Sequence, residues 1–140
     1  MGVFPIGDQR VGIEIDTPTL VGGQPVYSEF GEPVTTATLV WVDRAAFEIQ
    51  TPSEQQNLTV TTSEVAWAIL PVVDGTIPAV DGQGNPAPLP VFGNGGAPSV
   101  SSRVWLHHNG LRYAMRGDAV YEQSIRGVGD HLFCVCERQQ

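Results

Sequence analysis

The chain has 140 residues with sixteen glycines and eleven prolines, a length that suits one domain and a composition that argues against long helices. Its net charge is −8, its pI about 4.6, and its seven cations are all arginines, which excludes the basic stripe that proteins use to neutralise a nucleic-acid backbone. With 41% hydrophobic residues and a mean hydropathy of −0.03 the balance is that of a globular chain, and no stretch approaches the roughly 20 apolar residues of a membrane span.

The opening "MGVFPIGDQR" has no basic start followed by an apolar run, so no signal peptide is expected. Ile6 stands where a myristoylation signal needs Ser or Thr. Without secretion the sequon Asn57-Leu58-Thr59 carries no meaning. Residues 1–33 are expected to form an extended N-terminal arm, of which 17–33, "TPTLVGGQPVYSEFGEP", is a loop broken by Pro and Gly. The first core strand is expected at 34–43, "VTTATLVWVD", which is rich in β-branched and aromatic residues. Residues 44–57 read as a connection, with "DRAAFEIQ" at 43–50 as a short helix candidate inside it.

Strand character returns at 57–72, where Val65, Trp67 and Ile69 share one face and Ala66 and Ala68 the other. The longest loop is expected at 74–101. It is not a plain linker, because Ile77, Val80, Leu89, Val91 and Phe92 interrupt its Pro and Gly residues. Loops beyond about 12–15 residues are uncommon in compact domains, and these apolar residues should pack on this domain or on a neighbour. A second short helix candidate is "AVYEQSI", 119–125, and a final strand is expected at 130–137, "DHLFCVCE". The β core therefore comprises 34–73 and 102–138 of a single domain, 1–140.

Between these elements, "SRVWLHHNGLRYAMRG" at 102–117 predicts a hairpin. Asn109-Gly110 suits a type I′ turn, which needs positive φ at both central positions. That turn fixes the pairing: His108 opposite Leu111, Leu106 opposite Tyr113 and Val104 opposite Met115 on the core face, with His107–Arg112, Trp105–Ala114 and Arg103–Arg116 on the other. Neighbouring histidines on a strand point to opposite faces, so His107 and His108 should not share a metal. Arg116-Gly117-Asp118 spells an adhesion tripeptide but closes a strand, where its charges support a turn. Cys134 and Cys136 alternate with Leu132 in one apolar row and read as small buried hydrophobes. No metal-ligand or cofactor-binding motif, nucleophile elbow or Gly-rich phosphate loop with Lys is present, so no cofactor, no metal and no enzymatic activity are expected.

In sequence order the elements resemble the head-closure proteins of long-tailed phages (siphophages), also called head-to-tail stoppers or connectors. The resemblance runs over roughly 17–138. It is carried by "LVGGQPVYSEFGEPVTT", by the strand–polar loop–strand "TATLVWVDRAAFEIQTPSEQQNLTVTTSEVAWAILP", by "DGTIPAVDGQG", and by the tail "VWLHHNGLRYAMRGDAVYEQSIRGVGDHLFCVCE". The segment around 82–101 is longer than the family pattern.

The resemblance implies a mainly β fold: a small antiparallel β-barrel or sandwich with long Gly/Pro-rich loops and at most short helices. It implies a dodecameric ring in the virion neck, assembled in the host cytoplasm, with portal or adaptor above and tail terminator or tail tube proteins below. Packaged double-stranded DNA would pass the lumen without specific binding, and no membrane is involved. By position, the channel-gate loop would be Arg44–Asn57, with Glu48, Gln50, Glu54, Gln55 and Gln56 as its polar residues. Ile77, Leu89, Val91 and Phe92, together with the N-terminal arm, are expected to contact neighbouring subunits or the tail. The rival readings are another neck component such as a tail terminator, and a monomeric β-sandwich binding module presenting Trp41, Trp67 and Trp105. The module requires those tryptophans to be exposed, whereas their alternating strands suggest a core role.

Overall fold

The computed structural model describes residues 7–50, 64–93, 96, 98–123 and 130–138. Among them there is no α-helix, and the strands are β1 (Gln9–Pro18), β2 (Leu20–Val21), β3 (Gln24–Pro25), β4 (Thr35–Gln50), β5 (Glu64–Pro71), β6 (Thr76–Ile77), β7 (Leu89–Pro90), β8 (Trp105–His108), β9 (Leu111–Met115), β10 (Val120–Glu122) and β11 (His131–Arg138). The main sheet runs β10-β11-β5-β4-β1-β8-β9, and β9 pairs back onto β11. Six antiparallel strands thus close into a barrel, with β10 added along the first half of β11. Closure removes free sheet edges from the barrel wall.

Alternation decides what lies inside. Val11 and Ile13 of β1, Val40 and Val42 of β4, Leu106 of β8, Tyr113 of β9 and Leu132, Cys134 and Cys136 of β11 are all buried. So are Ala66, Ala68 and Leu70 of β5. Trp67 of the same strand is 41% exposed, so the large-residue face of 64–71 points outward, contrary to the core role expected for it. A six-stranded barrel has a narrow interior filled by side chains. The fully buried Tyr113 occupies it, with Phe47 edge-on at 4.9 Å, and alanines and cysteines fit around them.

β4 is longer than the sequence suggested because of a bulge. Gln9 pairs with Ala45 and Val11 with Val42, so one extra residue sits in β4. Arg44 takes φ 63° there. The bulge shifts the alternation by one at Asp43-Arg44, which mimics a strand end in the sequence. Beyond it Ala46–Gln50 pair with Val65–Ile69 of β5, so 43–50 is strand and neither helix nor loop. The second helix candidate is likewise corrected: Val120, Tyr121 and Glu122 pair with Phe133, Leu132 and His131. The edge of β11 that β9 leaves uncovered recruits them.

The predicted hairpin stands as derived over its paired residues. Asn109 and Gly110 have φ of 52° and 79°, and Trp105–Ala114, Leu106–Tyr113, His107–Arg112 and His108–Leu111 are partners. The N-terminal third differs from the expectation of an extended arm. Residues 9–18 form β1, which pairs with β4 on one side and β8 on the other. The alternation Val11, Ile13, Ile15 against Gly12, Glu14, Asp16 was the signal for it.

Candidate interaction surfaces

Beyond the barrel, β1 and β4 continue as a two-stranded ribbon. Asp16–Ala37, Thr17–Thr36 and Pro18–Thr35 are partners, and Thr17 Oγ1 donates to the Thr36 carbonyl at 3.2 Å. The connection 19–34 is folded. β2 and β3 pair across Gly22-Gly23, whose φ angles are 61° and 82°, and Thr19 N and Val34 N donate to the Val34 and Val26 carbonyls at 2.9 Å each. At the far turn Ser28 Oγ accepts from Phe30 N at 3.3 Å and Glu32 N at 3.2 Å. This tip exposes Leu20, Val21, Tyr27 and Val34, and leaves Phe30 83% exposed. Single exposed apolar residues are ordinary, whereas a cluster of them on a protrusion marks a contact surface.

The described residues of 72–93 and 98–100 lie against the barrel body. Trp41 N donates to the Val80 carbonyl at 2.7 Å and Val80 N returns a bond to Trp41 at 2.9 Å. Ile77, Ala79, Val91 and Val100 enter the chain's own core. Two expected contact residues, Ile77 and Val91, therefore fill this molecule and face no neighbour: their exposures are 0% and 2%. Leu89 packs against the same core. Phe92 remains 53% exposed, its ring edge-on to Tyr121 at 6.0 Å. Where this segment crosses β4, a groove of about 400 Å³ opens, lined by Trp41, Arg44, Pro78, Val80, Pro86 and Pro88 among others.

The expected gate residues divide. Glu48 and Gln50 lie on the outward side of β4, where Glu48 pairs across to Trp67 and accepts from Gln50 Nε2 at 3.2 Å. Glu54, Gln55 and Gln56 lie outside the described residues.

The three tryptophans all face outward, each with one neighbour against its ring, and Trp67 stays 41% exposed. Arg112 lies 3.7 Å over the Trp105 ring, Arg10 lies 5.1 Å from Trp41, and Phe133 meets Trp67 edge-on at 5.5 Å. Trp41 also fills the space above Gly12, where a Cβ would come within 3.0 Å of the indole.

The two histidines of the hairpin diverge. His107 Nε2 and Arg112 Nη2 reach the two oxygens of Glu14 at 2.7 and 2.9 Å on the outer face. Burial works to raise the Glu14 carboxyl, and the bonds from His107 and Arg112 outweigh it, holding the group below its ordinary value. His108 points inward, donates from Nε2 to Gln9 Oε1 at 2.9 Å, and is held below its ordinary value by burial. Asp118 of the tripeptide accepts from Ser102 N at 2.8 Å, tying 102 to the connection between β9 and β10. Both thiols are fully buried, and burial pushes each to about 12. Among the described residues no three His, Cys, Asp or Glu side chains are grouped to hold a metal.

No family model, no curated protein and no solved structure matches the chain.

Proposed function

We propose that the chain is a virion structural protein, a head-to-tail stopper that acts by assembling into a ring below the portal, retaining packaged DNA and presenting a docking platform for the tail. The observation that carries this reading is the projecting ribbon with its apolar tip, Leu20, Val21, Tyr27 and Phe30, mounted on a closed barrel. The closed wall offers no strand edge for pairing between copies, and the projecting ribbon offers an exposed apolar surface in its place. A protruding patch that meets a different patch on the next copy makes a heterologous interface, the kind that closes into rings.

Charge supports the same reading. A net charge of −8 repeated around a lumen repels DNA, and a narrow low-dielectric channel strengthens the field. The protein works, on this reading, by steric and electrostatic gating and not by catalysis. The alternative within the same particle is a tail terminator, from which copy number separates it: twelvefold for the stopper, sixfold for the terminator.

The test is an image of the neck assembled from portal, adaptor and this chain. A ring of this protein directly below the adaptor is the expected result. A chain that stays monomeric in that mixture, or takes a place at the far end of the tail, overturns the proposal.

A further inference from the structure

We infer that the apolar groove beside Trp41 is the receptor for the tip of the β1–β4 ribbon of the next copy, with Phe30 as the inserted side chain. The inference deepens the ring reading and rests on it for the setting in which copies meet. Both halves are present in one chain. The donor is Phe30, 83% exposed and held outward by a turn bonded to Ser28 Oγ. The receptor is a concavity of about 400 Å³ whose walls are mostly apolar: Trp41, Val80 and the prolines 78, 86 and 88. Concave apolar sites of this size suit an aromatic anchor.

Charge selects a second copy as the occupant. Residues 16–38 contain Asp16, Glu29 and Glu32 and no cation, and two of these acids flank Phe30. At the groove Asp43 is engaged by Arg10 at 3.3 Å. Arg44 lines the groove and has no ion-pair partner among the described residues. The acidic tip thus meets an unspent guanidinium. Charges placed at a rim direct encounter and register.

The tip cannot serve its own groove. Thr35 lies six residues before Trp41 on one continuous strand, so the far end of the ribbon, which carries the tip, is roughly 20 Å away at 3.3 Å per residue. The cross-strand pairing of Asp16–Pro18 with Thr35–Ala37 would have to break for the ribbon to fold back. Tip into groove is a contact between two different patches, so it propagates from copy to copy and closes only by rotation.

The test uses the full chain with single cysteines added, the native thiols being buried. Phe30→Cys and Pro88→Cys proteins are mixed and treated with a short bismaleimide. Light scattering of the wild-type chain, alone and with the portal complex, reads assembly independently. Cross-linked heterodimer in the mixture, absent from either protein alone, is expected. Arg44→Glu in the Pro88→Cys partner should lower its yield about fivefold, the effect of roughly 1 kcal/mol at an exposed ion pair. Glu29→Arg with Glu32→Arg in the Phe30→Cys partner should restore it.

Dimers of Phe30→Cys alone would mean tip meets tip and overturn the inference. A chain carrying both Phe4→Cys and Pro88→Cys that cross-links internally, while the mixture does not, would assign the groove to the chain's own N-terminal residues and also overturn it. Rings without the mixed cross-link defeat the inference and leave the ring reading standing. The mixed cross-link in a chain that forms no rings supports the contact and defeats the ring. Circular dichroism of each variant confirms that the barrel is intact.

Discussion

The imidazole of His108 lies flat against the Phe47 ring, with centroids 4.0 Å apart and planes 15° apart. Burial holds this histidine below its ordinary value of 6.5. The folded state therefore binds fewer protons than the unfolded chain just below that pH. Stability is complete above 6.5 and falls as the pH drops from there toward the depressed value. His108→Phe keeps the stacking and removes the titration. Urea midpoints at pH 7 and pH 5.5 should differ less for the variant than for the parent; an equal difference would remove His108 as the cause.

Glu14 acts in a lower window. Its folded carboxyl sits below its ordinary value of 4.5, so its contribution is present above that value and is lost as the pH falls through the depressed one. Its side chain is only 16% exposed, between His107 and Arg112. Glu14→Gln should cost about 1 kcal/mol at pH 7 and flatten the acid limb of the stability profile below pH 4.5. Chemical denaturation from pH 3 to 7 measures both effects.

The two thiols should be silent in the folded protein. With burial pushing each to about 12, almost no thiolate exists at neutral pH. Labelling by a thiol reagent should follow the rate of global opening and accelerate with denaturant. Serine substitution separates the pair. Cys136 Sγ is 3.6 Å from the Ala66 carbonyl, which can accept from a hydroxyl. Among the described residues Cys134 Sγ makes no such bond. Cys134→Ser should therefore be the costlier change, by about 1 kcal/mol.

Binding to DNA should be negligible. A chain of net charge −8 with seven arginines and no lysine lacks the counterion-release term that supplies non-specific affinity. A mobility-shift assay with duplex DNA at 150 mM salt should show no complex at micromolar protein. A salt-dependent shift there would contradict an acidic lumen.

Local signals were the legible ones. Asn109-Gly110 specified the hairpin because positive φ at two adjacent positions is a property of the dipeptide itself, and the pairing of Trp105–His108 with Leu111–Ala114 follows by counting. The Cys134–Cys136 row was legible for the same reason, since period two needs no partner to be recognised. What depended on the closed barrel was hidden. Nothing in "EVAWAILP" says that the interior is too narrow for Trp67, for which the alternation suggested a core role. The bulge at Arg44 is a tertiary feature, and it broke the alternation that would have carried β4 to Gln50.

Exposed apolar surface was legible in composition and not in position. Ile77 and Val91 were conspicuous because Pro and Gly surround them, yet they are core. Phe30 and Tyr27 were overlooked inside a stretch read as loop. The cue available was two aromatic residues in a segment without any alternation that could bury them.

β11 is bonded along both edges, to β5 on one side and to β9 and β10 on the other. It is the stave that turns an open, curved sheet into a cylinder, and among the described strands it is the last in chain order. A nascent chain therefore cannot shut its wall until Arg138 has left the ribosome, and before then it carries two raw flanks that invite mispairing. Closure of the wall should therefore be a late event in folding.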